Sequence, residues 1–346
     1  MTEYRTVKAD RMRALTTGIF AKLGMPADDA EFMGQCLVDA DLRGVLTHGC
    51  RFIPTYYEWV KKGVVNLKPE YKVVAEGPGT VAIDADRALG HLPSAMAMRL
   101  CIERAKKVGI AAATVRNSAH CGAMAYYAQM AVDAGCIGNA VTNGGVAMAP
   151  HGGIDRLVAL NPVAWAAPTN RPWAFNLDMA TSVVAGSKVA LAIEKGEKIP
   201  FGWAIDADGN PTDDPHAAMK GAMLPLGGAK GFGLALTLDI LAGVLSGGRF
   251  GANQGLEEFP VKEAQFSHFY MAIDIEHFMP LAQFKARMGE LIDKLKSGRP
   301  APGSAGVLLP GEIEYNTRLK HEAEGIPYPV AVMDNIESIA AQLGVA

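Results

Sequence analysis

No stretch of this chain approaches the roughly eighteen uninterrupted apolar residues that a membrane-spanning helix requires. The opening segment MTEYRTVKADRMRAL is charged and carries no apolar run of a secretion signal, so the expectation is a soluble, cytoplasmic protein. A basic excess is missing too. Lys and Arg total 33 against 36 Asp and Glu, with no long basic block, which excludes the electrostatic footprint of a nucleic-acid binder. The five cysteines (Cys36, Cys50, Cys101, Cys121, Cys136) are odd in number and lack C-x-x-C spacing. That argues against a disulfide framework and a zinc cage, and leaves reduced thiols with no metal site. What is present is ordinary for a folded globule: 346 residues, 49% hydrophobic and 20% charged, enough for two domains or one large elaborated one.

Apolar spacing predicts helices over residues 6 to 42, broken at Gly24 to Ala27, where Pro26 suits the first turn of a second helix. A further helix is expected around Thr55 to Lys62. YKVVAEGPGTVAIDAD then reads as two β-prone runs about a Pro/Gly turn. From there helix and strand alternate: a helix over 91–107, the strand GIAAATVR, the helix AMAYYAQMAVDAG ending at Gly135, and the strand CIGNAVTN. Further on come a Gly-rich loop, the long apolar helix FGLALTLDILAGVL, the strand FYMAIDI, a helix near 281–296 and charged helical segments to the end. No internal repeat is visible.

Such alternation invites a Rossmann reading, which requires glycines that open a helix facing the pyrophosphate. The one near match, Gly77-Pro78-Gly79, runs into the β-prone TVAIDAD instead of a helix, so it is read as a turn. No Walker-type loop exists either. A dinucleotide would have to bind by another route.

Four segments are more specific: DADLRGVLTHG (39–49), RNSAHCGAMAYYAQMA (116–131), LNPVAWAAP followed by LDMATS (160–182), and GGAKGFGLAL (227–236). In order and spacing they resemble the malate/L-lactate dehydrogenase type 2 family, which also holds ureidoglycolate and sulfolactate dehydrogenases and reductases of cyclic imino acids such as piperideine-2-carboxylate. PGEIEYNTRLKHEAEGI (310–326) resembles the family's C-terminal signature. The resemblance implies an α/β, non-Rossmann nicotinamide-dependent oxidoreductase, with a central sheet domain and a helical domain built from both chain ends. Residues 76–249 would form the cofactor-binding part, and 1–75 with 250–346 the helical, substrate and dimerisation part. It further implies NAD or NADP as cofactor, a small 2-oxo acid or imino acid as substrate, and a homodimer.

Hydride delivery to C2 of a 2-oxo acid or imine needs a proton donor beside that carbon, and histidine titrates in the right range. The candidates are His48 in THG and His120 in SAHCG, both beside glycine at element junctions; by position alone each could equally be a capping or satisfied buried histidine. The resemblance makes His120 the proton donor and acceptor, with His48 orienting substrate or sharing the proton path. A guanidinium suits the substrate carboxylate. Arg51 stands three residues after His48, whereas the family commonly places its arginine four after; Tyr56 keeps the family's place and Thr47 precedes the histidine. Arg51, Tyr56 and Thr47 are therefore the substrate candidates, with Arg43 or a partner subunit as alternative sources of charge.

Asp178 lies in an apolar setting, where a carboxylate needs a partner: a histidine, a cofactor hydroxyl, or the start of a helix near Thr181. The resemblance places Asp178, Met179 and Ala180 along the cofactor. Lys230 and Gly231, in a glycine cluster ahead of an apolar helix, offer an ammonium and backbone N–H groups to a pyrophosphate. Thr142, Asn143, Gly144 and Glu312 are further cofactor candidates by the same carry-over. Two rivals from other classes are a Ser118/His120 hydrolase, which lacks a G-x-S-x-G elbow, and a non-catalytic binding module.

Overall fold

A computed structural model describes residues 3–251 and 265–345. The chain opens with β1 (Tyr4–Val7), α1 (Ala9–Lys22), α2 (Ala27–Leu42), short 3-10 turns at Leu46–His48 and Cys50–Phe52, and α3 (Ile53–Lys61). Then follow β2 (Lys72–Gly77), β3 (Thr80–Ala88), α4 (His91–Val108), β4 (Ile110–Ser118), α5 (Met124–Asp133) and β5 (Cys136–Thr142). Short elements come next: β6 (Val146–Met148), β7 (Val158–Ala159), β8 (Val163–Ala167), β9 (Phe175–Met179), α6 (Gly186–Lys195), β10 (Ala204–Ile205), α7 (Pro215–Lys220) and β11 (Ala222–Met223). The last part holds α8 (Ala229–Asp239), β12 (Phe266–Asp274), α9 (Leu281–Lys296), α10 (Glu312–Glu324), β13 (Ile326–Pro329) and α11 (Val330–Leu343).

A seven-stranded sheet, ordered β2-β3-β4-β12-β5-β8-β9, forms the centre of this mixed α/β fold. Its β3–β4 pair is parallel and its other pairs are antiparallel. Alternation in β4 turns Ala111, Ala113 and Val115 into a core they share with Met98 and Cys101 of α4 and Tyr127 and Ala128 of α5. These small strand residues let the helices lie close to the sheet. β12 comes from residues 266–274 and sits mid-sheet between β4 and β5, which come from residues 110–142. A smaller sheet, β10-β11-β6-β7, has a separate core around Met148, Val189 and Met223.

Both chain ends depart from the purely helical expectation. β1 pairs antiparallel with β13, Tyr4 opposite Pro329 and Val7 opposite Ile326, where helix was expected from residue 6 and again to the C-terminus. A pairing between residues more than three hundred positions apart leaves no local periodicity to read. Around it, Met12, Leu15 and Ile19 of α1 pack with Met33 and Leu37 of α2 and Met333 and Ile336 of α11. The long apolar helix is also divided: α8 ends at Asp239 and continues as a π-turn over Ile240–Val244.

β12 is tied to both neighbours by a buried histidine. His268 Nδ1 lies 2.8 Å from Thr142 Oγ1 of β5 and Nε2 2.9 Å from Ser118 Oγ of β4. Burial holds its pKa down to about 3, so the ring is neutral, one nitrogen donating and the other accepting. Because the unfolded chain binds this proton near pH 6.5 and the folded chain does not, the contribution of His268 to stability is present above pH 6.5 and is lost as pH falls. His268→Gln removes the titration. The stability gap between wild type and this variant, measured by urea unfolding, should narrow by about 1.4 kcal/mol per pH unit below pH 6.5; a constant gap would contradict the neutral pairing.

Candidate active site

The segment between α2 and α3 carries three of the expected residues and is pinned from below. Asp41, fully buried near the end of α2, accepts the Cys50 backbone N–H at 2.9 Å and the Tyr328 hydroxyl at 2.7 Å on Oδ2. Burial raises its pKa to about 7, with those hydrogen bonds opposing. Gly49 packs so closely on this carboxyl that any Cβ would overlap it. The two 3-10 turns are thereby fixed against the β1–β13 pair, and Thr47 and His48 are held above.

His120 stands beyond the end of β4. The Tyr56 hydroxyl of α3 lies 2.6 Å from its Nδ1, and Phe52 stacks on its ring at 4.4 Å between centroids and 13° between planes. His48 is 5.7 Å away, centroid to centroid, and its own Nδ1 lies 2.9 Å from Thr47 Oγ1. Enclosure lowers the pKa of both histidines: desolvation is the main cause, followed for His120 by repulsion from His48, His91 and His268. Both are neutral imidazoles near pH 7, and among the described residues nothing takes Nε2 of His120. Tyr56 was expected on the substrate. It is fully buried, with its hydroxyl against His120.

These turns, the start of α5, β9 and α10 enclose a cavity of about 950 Å³. Of the expected residues Thr47, His48, Asp178, Met179 and Ala180 line it. Asp178 meets solvent through the cavity, which corrects the expectation of a buried carboxylate; the surrounding protein still raises its pKa by desolvation, against attraction to Arg43 and His48. Its Oδ2 accepts the Ala125 N–H at 2.8 Å, so it serves α5 and not a helix near Thr181, where none forms. That contact is charge-assisted and lies in the first turn of α5.

Other expected residues are placed elsewhere. Arg51 is exposed and lies outside the cavity wall. Thr142 bonds to His268, while the Asn143 side chain donates to Arg249 O at 2.7 Å and accepts from Ser267 N at 2.7 Å, so both tie β5 to its surroundings. Gly144 adjoins Pro162 and adds no side chain. Glu312 pairs with Lys296 at 2.6 Å; its neighbours Gly311 and Glu314 line the cavity in its place. Lys230 is exposed in the first turn of α8, and Gly231 packs against the backbone of Leu226, which reaches the cavity. Arg116 pairs with Asp84 at 3.2 Å and is structural.

Two residues, Phe52 and Asn176, escaped the sequence reading. Phe52 stands four after His48, the place where the family commonly has arginine, so its signal was available in the spacing. Arg43 lines the cavity with Nη2 buried and unpartnered, and Asn176 lines it with a buried, unpartnered Oδ1. Asn176 was legible only as a polar residue near a motif, whereas Arg43 was expected as an alternative source of charge for the substrate. Among the described residues no group of three or more His, Cys, Asp or Glu side chains could hold a metal ion, and no helix is long and apolar enough to cross a membrane.

A nicotinamide fits this recess. The orphaned Oδ1 of Asn176 offers an acceptor for an amide or hydroxyl, and a cavity of this volume accommodates a ring with a small acid beside it. Known proteins place the chain among NAD(P)-dependent oxidoreductases. A family model described as malate/L-lactate dehydrogenase matches residues 7–337. The malate dehydrogenase of Pyrococcus abyssi is 40% identical, over 99% of this chain and 96% of that protein. The solved sulfolactate dehydrogenase of Methanocaldococcus jannaschii superposes with a TM-score of 0.92 at 36% identity, covering 99% of this chain and 98% of that one. The delta1-piperideine-2-carboxylate reductase of Pseudomonas syringae pvar. tomato gives 0.88 at 28% identity, with 97% and 100% covered. This chain belongs to the malate/L-lactate dehydrogenase family.

Proposed function

We propose that this protein reduces a small 2-oxo acid to its 2-hydroxy acid, reversibly, with His120 carrying the proton and the cavity holding cofactor and substrate together. The observation that carries the reading is the Tyr56–His120–Phe52 arrangement. Tyr56, kept as a neutral phenol by burial, occupies Nδ1 and leaves Nε2 as the site where a proton is held or released. In the oxidation direction the neutral Nε2 takes the proton of the 2-hydroxyl; in reduction the same nitrogen returns it to the new alkoxide. His48, with Nδ1 placed against Thr47, presents a second imidazole to the cavity and orients the oxygen at C2. Bound NAD(P) supplies the hydride acceptor or donor.

Asn176, Asp178, Met179 and Ala180 would hold the nicotinamide end, and Lys230 with Gly231 the phosphates. The mostly antiparallel central sheet supports a cofactor site of non-Rossmann type, since the Rossmann crevice depends on parallel strands. NAD and NADP both remain within this reading, as do a homodimer and a cytoplasmic location. Reduction of cyclic imino acids is the alternative, favoured by the likeness to the piperideine-2-carboxylate reductase.

Purified protein with NADH or NADPH should oxidise the cofactor on addition of a 2-oxo acid and not in its absence. Turnover of a cyclic imine but no 2-oxo acid would replace this proposal with the alternative. Cofactor-independent ester hydrolysis would instead support a Ser118/His120 hydrolase.

A further inference from the structure

The two arginines near His48 have opposite surroundings. Arg51 faces solvent outside the cavity, whereas Arg43, largely buried just after α2, lines it. Nε of Arg43 forms an ion pair with Asp39 Oδ2 at 2.9 Å, without hydrogen-bond geometry, and Arg318 engages the other oxygen of Asp39. The guanidinium is thereby fixed, while its Nη2 is shielded from solvent and has no hydrogen-bond partner among the described residues. An unpartnered donor on a fixed guanidinium is costly unless a ligand completes it. Asp178 and His48 line the same cavity, and Arg43 is close enough to help lower the Asp178 pKa, yet no ion pair joins the two. The free donor is left for an anion in the cavity that His48 also lines.

Behind His48, outside the residues that line the cavity, the pair Phe52 and His120 has the opposite character. Phe52 covers one face of the imidazole, so the place four residues after His48 is an aromatic ring. Of the other cations that line the cavity, Arg318 serves Asp39 and Glu322, and Lys188 is exposed on α6. A second anionic group on the substrate would meet Phe52 without a partner and would have to shed its water.

We infer that Arg43 receives the substrate carboxylate and that Phe52 restricts the enzyme to 2-oxo monocarboxylates whose C3 substituent is apolar. This rests on the 2-oxo acid reading above. It separates the chain from relatives named for malate and sulfolactate, whose substrates carry a second anionic group.

Steady-state kinetics with saturating cofactor test it, using 2-oxobutyrate against oxaloacetate and sulfopyruvate. The expected kcat/KM for 2-oxobutyrate exceeds both others by about tenfold or more. Arg43→Lys keeps a charge opposite Asp39 but loses the fork, and should raise KM for 2-oxobutyrate about thirtyfold with cofactor affinity level. Phe52→Arg should shift the ratio of kcat/KM values toward oxaloacetate by about tenfold or more, even if Arg43→Lys fails to fold. A wild-type preference for oxaloacetate or sulfopyruvate would overturn the inference while leaving the proposed function standing. So would an unchanged KM in folded Arg43→Lys, or an unchanged substrate ratio in Phe52→Arg. No turnover of any 2-oxo acid would overturn the proposed function and this inference with it.

Discussion

His120→Ala lowers turnover by about a hundredfold or more, with cofactor affinity unchanged. The side chain removed is the one whose Nδ1 is occupied by Tyr56 and whose Nε2 is left over, so its loss deletes the proton carrier without touching the Asn176–Ala180 wall. Tyr56→Phe is the informative companion. It leaves the imidazole and the Phe52 stack in place and removes only the hydrogen bond, so turnover should fall by about tenfold and not a hundredfold, a positioning loss. Desolvation sets the direction of the pH dependence. Because burial depresses the His120 pKa, oxidation of the 2-hydroxy acid should be flat near neutral pH and decline only in acid, as Nε2 becomes protonated. Wild-type turnover in folded His120→Ala, measured with the best 2-oxo acid, would remove His120 from the chemistry.

Gly90→Ala is expected to damage both stability and turnover, although Gly90 touches no ligand. It sits just before α4, with its N–H donating to His120 O at 3.1 Å and dihedrals that alanine adopts without strain. Space is what alanine lacks there: a Cβ would collide with the Ala119 carbonyl and meet Cys121 Cβ at 2.8 Å and His120 O at 3.0 Å. Two of those neighbours are backbone, which yields less readily than a side-chain end. Forced room of this kind costs about 1–3 kcal/mol. The segment that must move carries His120, so a displacement of about an ångström should also reduce turnover by roughly tenfold to a hundredfold. Unchanged melting temperature and turnover together would show that the Ala119–Cys121 segment is softer than its packing indicates.

The motifs made the site legible where local sequence dictates local geometry. THG and the histidine after β4 each fell at the element junction expected of them, and Thr47, His48, Asp178, Met179 and Ala180 converge on one cavity. Sequence alone does not say which partner a polar residue takes when it has a choice. Thr142, Asn143 and Glu312 looked like ligands for a cofactor, yet in the fold their side chains satisfy His268, the Ser267 and Arg249 backbone, and Lys296. Tyr56 likewise faces a histidine sixty-four residues away, a contact no spacing reveals. The fold follows the same division. Helix periodicity marked α1, α2, α4, α5 and α9, whereas β1–β13 and the two-residue strands of the small sheet depend on distant partners and carry too few residues for alternation.

Hydride transfer itself can be followed directly. Reduced cofactor deuterated at the transferring C4 position, mixed with the protein and a 2-oxo acid, should yield a 2-hydroxy acid with deuterium at C2, in amount equal to the cofactor oxidised. A product without deuterium, or reduced cofactor that survives contact with every 2-oxo acid, would contradict a nicotinamide-dependent reductase built around His120.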